Sequence, residues 1–300
     1  SSTLGDTLEK VEEVHTSFHA NVASTPIIRG LSGPRVMITQ NGLDVGDVSR
    51  VGPDHSVASE SSTAEQIEVL RGPATLSFGS GAIGGVVNVV DSRVPTDNTT
   101  QGDWLLESGS VDNKKLASFN ATTGFDSFAF YADGYWRDSD DYEVPVSPES
   151  EEDHHDDSDN YTVANSSERS SGFTLGGSYL FEGGYLGMSV EQFNREYGIP
   201  GHSHGETEED HDEHEEHGAE SHGDHDEESV LADLEQTRVQ IQGSFNFDSG
   251  LIDRVNLRGG LTDYEHVELE NGTTGTVFKS ESQELRVDLL HDRQTPWRGA

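Results

Sequence analysis

The side chains best suited to chemistry in this chain are histidines and carboxylates, and they are concentrated. Between Gly201 and Glu228 stand His202, His204, His211, His214, His217, His222 and His225, among thirteen Asp and Glu residues. Imidazole nitrogens and carboxylate oxygens are the donors that Zn²⁺ and its first-row neighbours accept where thiolate is missing, and the chain has no cysteine. His202 and His204 could share one side of an extended segment, while His211 with His214, or His222 with His225, could share one face of a helical turn. A smaller cluster, Asp153-His154-His155-Asp156-Asp157, lies upstream. An acidic run alone reads as a solvated surface, but seven histidines within this stretch turn the reading toward metal capture. The absence of cysteine and the presence of only two methionines disfavour Cu⁺, whereas Cu²⁺ and Ni²⁺ compete with Zn²⁺ for such ligands.

Catalysis finds no support. The helical zinc-protease motif needs two histidines four apart with Glu after the first, and no pair in the His-rich stretch has that spacing. No Ser/His/Asp arrangement stands out either. The chain reads as a non-enzyme without a catalytic cofactor, for which Zn²⁺ is a bound or transported ion. A formal charge of −39 with only 18 Lys and Arg excludes nucleic acid as a partner and favours cations.

The elements that must position these groups are strands. Hydrophobic residues make up 31% of the chain, which also carries 33 glycines, a texture that suits a β-rich protein with many turns. No apolar run reaches the ~18–20 residues of a membrane helix, and residues 1–20 lack the basic start and apolar stretch of a signal peptide. A membrane protein of this composition is a β-barrel.

Residues 1–95 read as a small α+β domain. Leu4, Leu8, Val11 and Val14 recur at helical spacing, and short apolar runs at Ile27-Ile28, Val36–Ile38, Ile67–Leu70 and Val86–Val90 read as strands, the last two buried. From 96 to 300 the texture is long alternating segments, near 103–111, 114–124, 126–138, 173–181, 185–193, 230–247, 251–266 and 277–291. Phe173, Leu175, Gly177, Tyr179 and Phe181 share one parity, as do Tyr185, Gly187, Ser189, Glu191 and Phe193. Tight turns such as Glu182-Gly183-Gly184 and Asp248-Ser249-Gly250 alternate with long polar loops near 139–167 and 198–229, as in membrane barrels; a soluble β-sandwich is the alternative. Tyr135, Trp136, Tyr142 and Tyr197 fall near segment ends, as interface girdles or as ordinary cross-strand pairs.

Residues 65–90, Glu-Gln-Ile-Glu-Val-Leu-Arg-Gly-Pro-Ala-Thr-Leu-Ser-Phe-Gly-Ser-Gly-Ala-Ile-Gly-Gly-Val-Val-Asn-Val-Val, resemble the plug signature of TonB-dependent outer-membrane receptors. Pro26-Ile27-Ile28-Arg29-Gly30, followed by Arg35–Ile38 and Asn41-Gly42, resembles an upstream section of the same family. The Gly-rich stretch lacks the Lys-Ser/Thr of a phosphate-binding loop and the spacing of a dinucleotide fold. The resemblance implies an α+β plug domain followed by antiparallel transmembrane β-barrel strands in the outer membrane of a Gram-negative bacterium. It also implies a piece of a receptor. Eight strands are far fewer than the roughly 22 of such barrels, so the last would be an unpaired edge, and the N-terminal box that engages the TonB complex is missing.

Tyr197-Gly198-Ile199-Pro200-Gly201-His202-Ser203-His204 is similar to the ZnuD-type zinc receptors, in which a His-rich loop follows this phrase. Pro53-Asp54-His55 resembles the plug section that carries an Asp-His metal pair in that subfamily; on its own chemistry it is an exposed turn. Tyr264-Glu265-His266-Val267-Glu268 resembles a barrel section that supplies an acidic ligand, with Glu268 the first choice and His266 its competitor. His15 and His19, four apart on the first helix, could pair on a metal by geometry but should lie away from the outer mouth. The function implied is zinc or related divalent-metal import, the loops capturing metal for a plug–barrel site. The alternatives are a receptor for an iron chelate or haem, and a metal-buffering surface protein without transport.

Overall fold

The computed structural model describes residues 4–8, 11–17, 24–47, 49, 55–144, 161–200, 229–248 and 252–291. The opening helix is shorter than its apolar spacing predicts: α1 spans Leu4–Leu8, and by Val14 the chain is already in strand β1 (Val14–Thr16). Glu13 adopts φ 63°, a left-handed conformation that no helix continues through. Leu4, Leu8 and Val14 nevertheless share one core. Helix and strand each turn an apolar face inward, so the spacing reported burial rather than helix length.

Strand β1 pairs antiparallel with β2 (Pro26–Ile28). A second sheet places β3 (Val36–Gln40) between β4 (Leu43–Asp44) and β6 (Gly85–Val90), with β5 (Gln66–Leu70) on the far side of β6. The β3–β6 pair is parallel, and its crossover passes through β5 and the short 3₁₀ turns Gly72–Phe78 and Ser80–Ala82. β6 is central and almost wholly buried, as expected; β5 is an edge strand and only half-buried, contrary to the buried strand that its apolar residues suggest. Gly85 lies at φ +152°, and a Cβ there would meet Ile28 Cδ1 at 2.8 Å. Glycine thus lets β6 start beneath β2. Val36, Ile38, Val45, Val57, Val87 and Val89 complete the core with α1 and β1.

The remaining strands form one antiparallel meander: β7 (Gln101–Ser108), β8 (Lys115–Phe125), β9 (Phe128–Ser139), β12 (Glu168–Phe181), β13 (Gly184–Gly198), β14 (Val230–Asn246), β15 (Ile252–Glu270) and β16 (Thr273–His291). Between β9 and β12 lies a separate two-stranded ribbon, β10 (Glu143–Val144) with β11 (Tyr161–Thr162). β7 and β16 are the edges, so the sheet is unclosed.

The alternation has membrane polarity. On β12, Phe173, Leu175 and Tyr179 are exposed while Ser170, Thr174 and Ser178 are buried; on β13, Leu186, Met188 and Val190 point out while Ser189, Glu191, Phe193, Arg195 and Tyr197 point in. Apolar-out and polar-in is the pattern of a lipid-facing barrel wall. Trp136 is exposed, in keeping with an interfacial role, but Tyr135 and Tyr197 are buried on the inner face. The parity of β9 and β13 turns them inward, which corrects a girdle reading for these two.

Candidate metal centre

The segment 55–60 crosses from plug to wall and is buried throughout. Val57 packs in the plug core, whereas Ala58 packs against the wall residues Tyr135, Phe193, Leu234 and Tyr264. His55, at its start, is 4% exposed.

Opposite it, β15 turns Tyr264, His266 and Glu268 inward, because residues two apart on a strand share a face. One ligand atom each from His55, His266 and Glu268 lie within 4.8 Å of one another. Glu268 Oε1 is 3.5 Å from His55 Nε2 and 3.8 Å from His266 Nε2. His266 is fully buried, and its Nδ1 lies 3.2 Å from the Tyr264 hydroxyl. With the proton on Nδ1, donated to the phenol oxygen, Nε2 turns its lone pair toward Glu268, as orienting partners of metal-binding histidines do. Phe278 on β16 closes the site edge-on to both rings, 4.9 Å from His55 and 5.8 Å from His266. Glu268 sits where β15 and β16 lose register: Val267 faces Val277, but Leu269 already faces Thr274, which leaves Gly275 and Thr276 against Glu268. Such bulges re-aim side chains beside functional sites.

Two imidazoles and one carboxylate form a donor set suited to Zn²⁺, with a fourth position left for water or another ligand. Both sequence candidates on β15, Glu268 and His266, converge on His55 rather than competing. Asp54, His154, His155, His202, His204, His211, His214, His217, His222 and His225 lie outside the described residues, as does His19. His15 is exposed on β1, not on a helix.

Sequence reasoning did not single out the shell around this site. Arg195 Nη1 donates to Ser56 Oγ at 2.5 Å and to the Val57 carbonyl at 3.2 Å, and Ser56 N donates to the Tyr197 hydroxyl at 3.1 Å. Glu60 meets Arg137 at 2.9 Å and Arg195 at 3.9 Å, and Glu168 joins both arginines at 3.4 and 3.2 Å. All four side chains are at most 4% exposed. Inward parity on the strands is the signal that could have found the arginines. On the plug side, burial pushes the Asp47 carboxyl up despite hydrogen bonds from Ser49 and the Ala58 amide.

Residues 1–86 match the family model described as TonB-dependent Receptor Plug Domain. Over 105 residues the chain is 30% identical to the vitamin B12 transporter BtuB of Vibrio vulnificus, covering 35% of this chain and 17% of that protein. Over 135 residues it is 33% identical to the ferric enterobactin receptor PirA of Pseudomonas aeruginosa, covering 39% and 18%. The fold is similar to that of the FrpB iron transporter of Neisseria meningitidis, with a TM-score of 0.70 at 9% identity over 98% of this chain and 44% of that one. It is also similar to that of the copper transporter OprC, with a TM-score of 0.65 at 15% identity over 88% and 36%. The chain thus spans less than half the length of these proteins. Its fold is a plug-like domain followed by antiparallel strands of a barrel-like, unclosed sheet. More particularly, residues 1–86 are similar to the plug domain of TonB-dependent receptors.

Proposed function

We propose that this chain is part of a receptor that imports zinc or a related divalent metal, in the manner of the ZnuD-type receptors, through the site formed by His55, His266 and Glu268. The observation that carries this reading is the convergence of plug and wall ligands on one buried point. The His-rich stretches 202–225 and 154–155 would gather the ion and raise its local concentration, and Asp54 would add a further carboxylate beside His55. Movement of the plug, driven by the TonB complex, would part His55 from its wall partners. The competing reading is a receptor for an iron chelate, favoured by the similarity to a ferric enterobactin receptor. Burial argues for the bare ion: His55 and His266 are at most 4% exposed, and Phe278 packs edge-on against both. Haem import and metal buffering without transport are further outcomes that the test separates.

The test is anomalous scattering at the zinc edge from the full-length receptor, together with uptake at limiting zinc. A peak between His55, His266 and Glu268, with uptake lost in His55→Ala, is expected. A peak elsewhere, or growth on an iron chelate but not on zinc, would overturn the reading.

A further inference from the structure

The ligands alone do not explain how His55 is held. It begins a stretch with no strand pairing, and the backbone groups that follow it are met by side chains: Ser56 N by Tyr197, the Val57 carbonyl by Arg195, and Ala58 N by Asp47. Arg195 also holds Ser56 Oγ and lies 5.0 Å over the Phe193 ring. Its charge is set within a closed group of two guanidiniums and two carboxylates, Arg137, Arg195, Glu60 and Glu168. Three of these belong to the wall strands β9, β12 and β13. The fourth, Glu60, is the plug's contribution at the other end of the same segment.

A buried arginine stays in place only while its charge is matched, because one uncompensated guanidinium away from water is costly. Glu168 at 3.2 Å and Glu60 at 3.9 Å together match the charge of Arg195, Glu60 also through Arg137 at 2.9 Å, and Arg195 fixes the backbone next to His55. Resting on the metal reading above, we infer that Arg195 and Glu60 are positioning residues for the metal centre: the ion cluster sets where His55 stands relative to His266 and Glu268. Metal affinity then depends on residues that donate nothing to the ion. Any plug movement that breaks Glu60 from Arg137 and Arg195 loosens His55 as well, so release of the plug and weakening of the site are one event.

The experiment uses the purified full-length receptor, with Zn²⁺ alone as the probe, in wild type, Arg195→Ala, Arg195→Lys, Glu60→Gln and His55→Ala. Zinc Kd is measured by competition titration, and amide hydrogen exchange is followed over 55–60 and over β3 without metal. Arg195→Ala and Glu60→Gln should raise Kd by about 10–100-fold, as loss of an outer-shell partner does. They should speed exchange in 55–60 but not in β3, and Arg195→Lys should recover part of the affinity. Wild-type Kd and exchange in both Arg195→Ala and Glu60→Gln would overturn the inference. If Arg195→Ala loosens β3 too, Glu60→Gln decides, since it keeps shape and removes charge. If wild type binds Zn²⁺ no better than His55→Ala, the metal reading fails. Exchange then judges the positioning alone, acceleration supporting it and its absence overturning it.

Discussion

The Tyr264 hydroxyl lies 3.2 Å from His266 Nδ1, and if it accepts the Nδ1 proton it does what a second carboxylate does elsewhere, leaving Nε2 for a metal. Tyr264→Phe keeps the ring that packs with Ala58, Tyr135 and Phe193 and removes only the orienting oxygen. Zinc affinity should fall by up to about 10-fold with little loss of stability, and titration beside a thermal melt checks both. On the proposed reading His55→Ala removes a ligand rather than its support, so its affinity loss should exceed that of Tyr264→Phe; an affinity unchanged in His55→Ala would place His55 outside the site. Residue identity was the legible part of this site. His55, His266 and Glu268 were all visible as metal-ligand types, but whether Glu268 or His266 served could not be read from spacing. A strand puts both on one face, and a bulge opposite Glu268 brings both within reach.

At the level of elements, two contacts show how closely the wall fits the plug. Two side chains spaced two apart on β14 grip plug backbone: Gln236 donates to the Val45 carbonyl at 3.0 Å and Arg238 to the Asp44 carbonyl at 2.6 Å, while the Gln240 amide oxygen accepts from Arg238. This ladder reads the plug's main chain, not its side chains. On β12 the linker passes so close that a Cβ on Gly176 would stand 1.7 Å from the Arg93 carbonyl oxygen. Gly176→Ala should therefore cost about 1–3 kcal/mol or more, because backbone must move on one side, and reduced folded protein in outer-membrane fractions is the expected result. A neutral outcome would mean that the linker does not lie against β12. The eight wall strands were legible in the period-two alternation; β12, β13, β15 and β16 run a few residues past the expected segments, whereas β7 ends at Ser108, short of the expected 111. The grip of β14 was not, since Gln and Arg at inward positions look the same whether they meet water or a carbonyl.

For the molecule as a whole, the joint between plug and wall runs through Arg93, which meets Asp91 at 2.7 Å and Glu191 on β13 at 2.8 Å. Burial pushes the Asp91 carboxyl up, but Arg93, with hydrogen bonds from Asn41, more than offsets this and holds it below the ordinary value of 3.8. A depressed folded value means that the stabilisation is complete above about pH 4 and is lost as pH falls through the folded value. The melting temperature of wild type should drop below about pH 4 more steeply than that of Asp91→Asn, and parallel curves would remove Asp91 from the joint. The His-rich stretch makes a separate prediction. Deleting residues 202–228 should impair growth at limiting zinc but not at abundant zinc, and capture should weaken below about pH 6.5 as imidazoles protonate. Unchanged uptake at limiting zinc would end the capture role.

The division of the candidate metal centre between two bodies has a consequence for counting. Wall strand β15 supplies His266 and Glu268, and the plug supplies His55, so neither body alone offers more than a two-ligand remnant. On the proposed reading an occupied centre and a withdrawn plug exclude each other. Occupancy is then a gauge of whether the plug is seated, and a metal-sensitive spectroscopic signal at His55 would report plug position without any label on the protein.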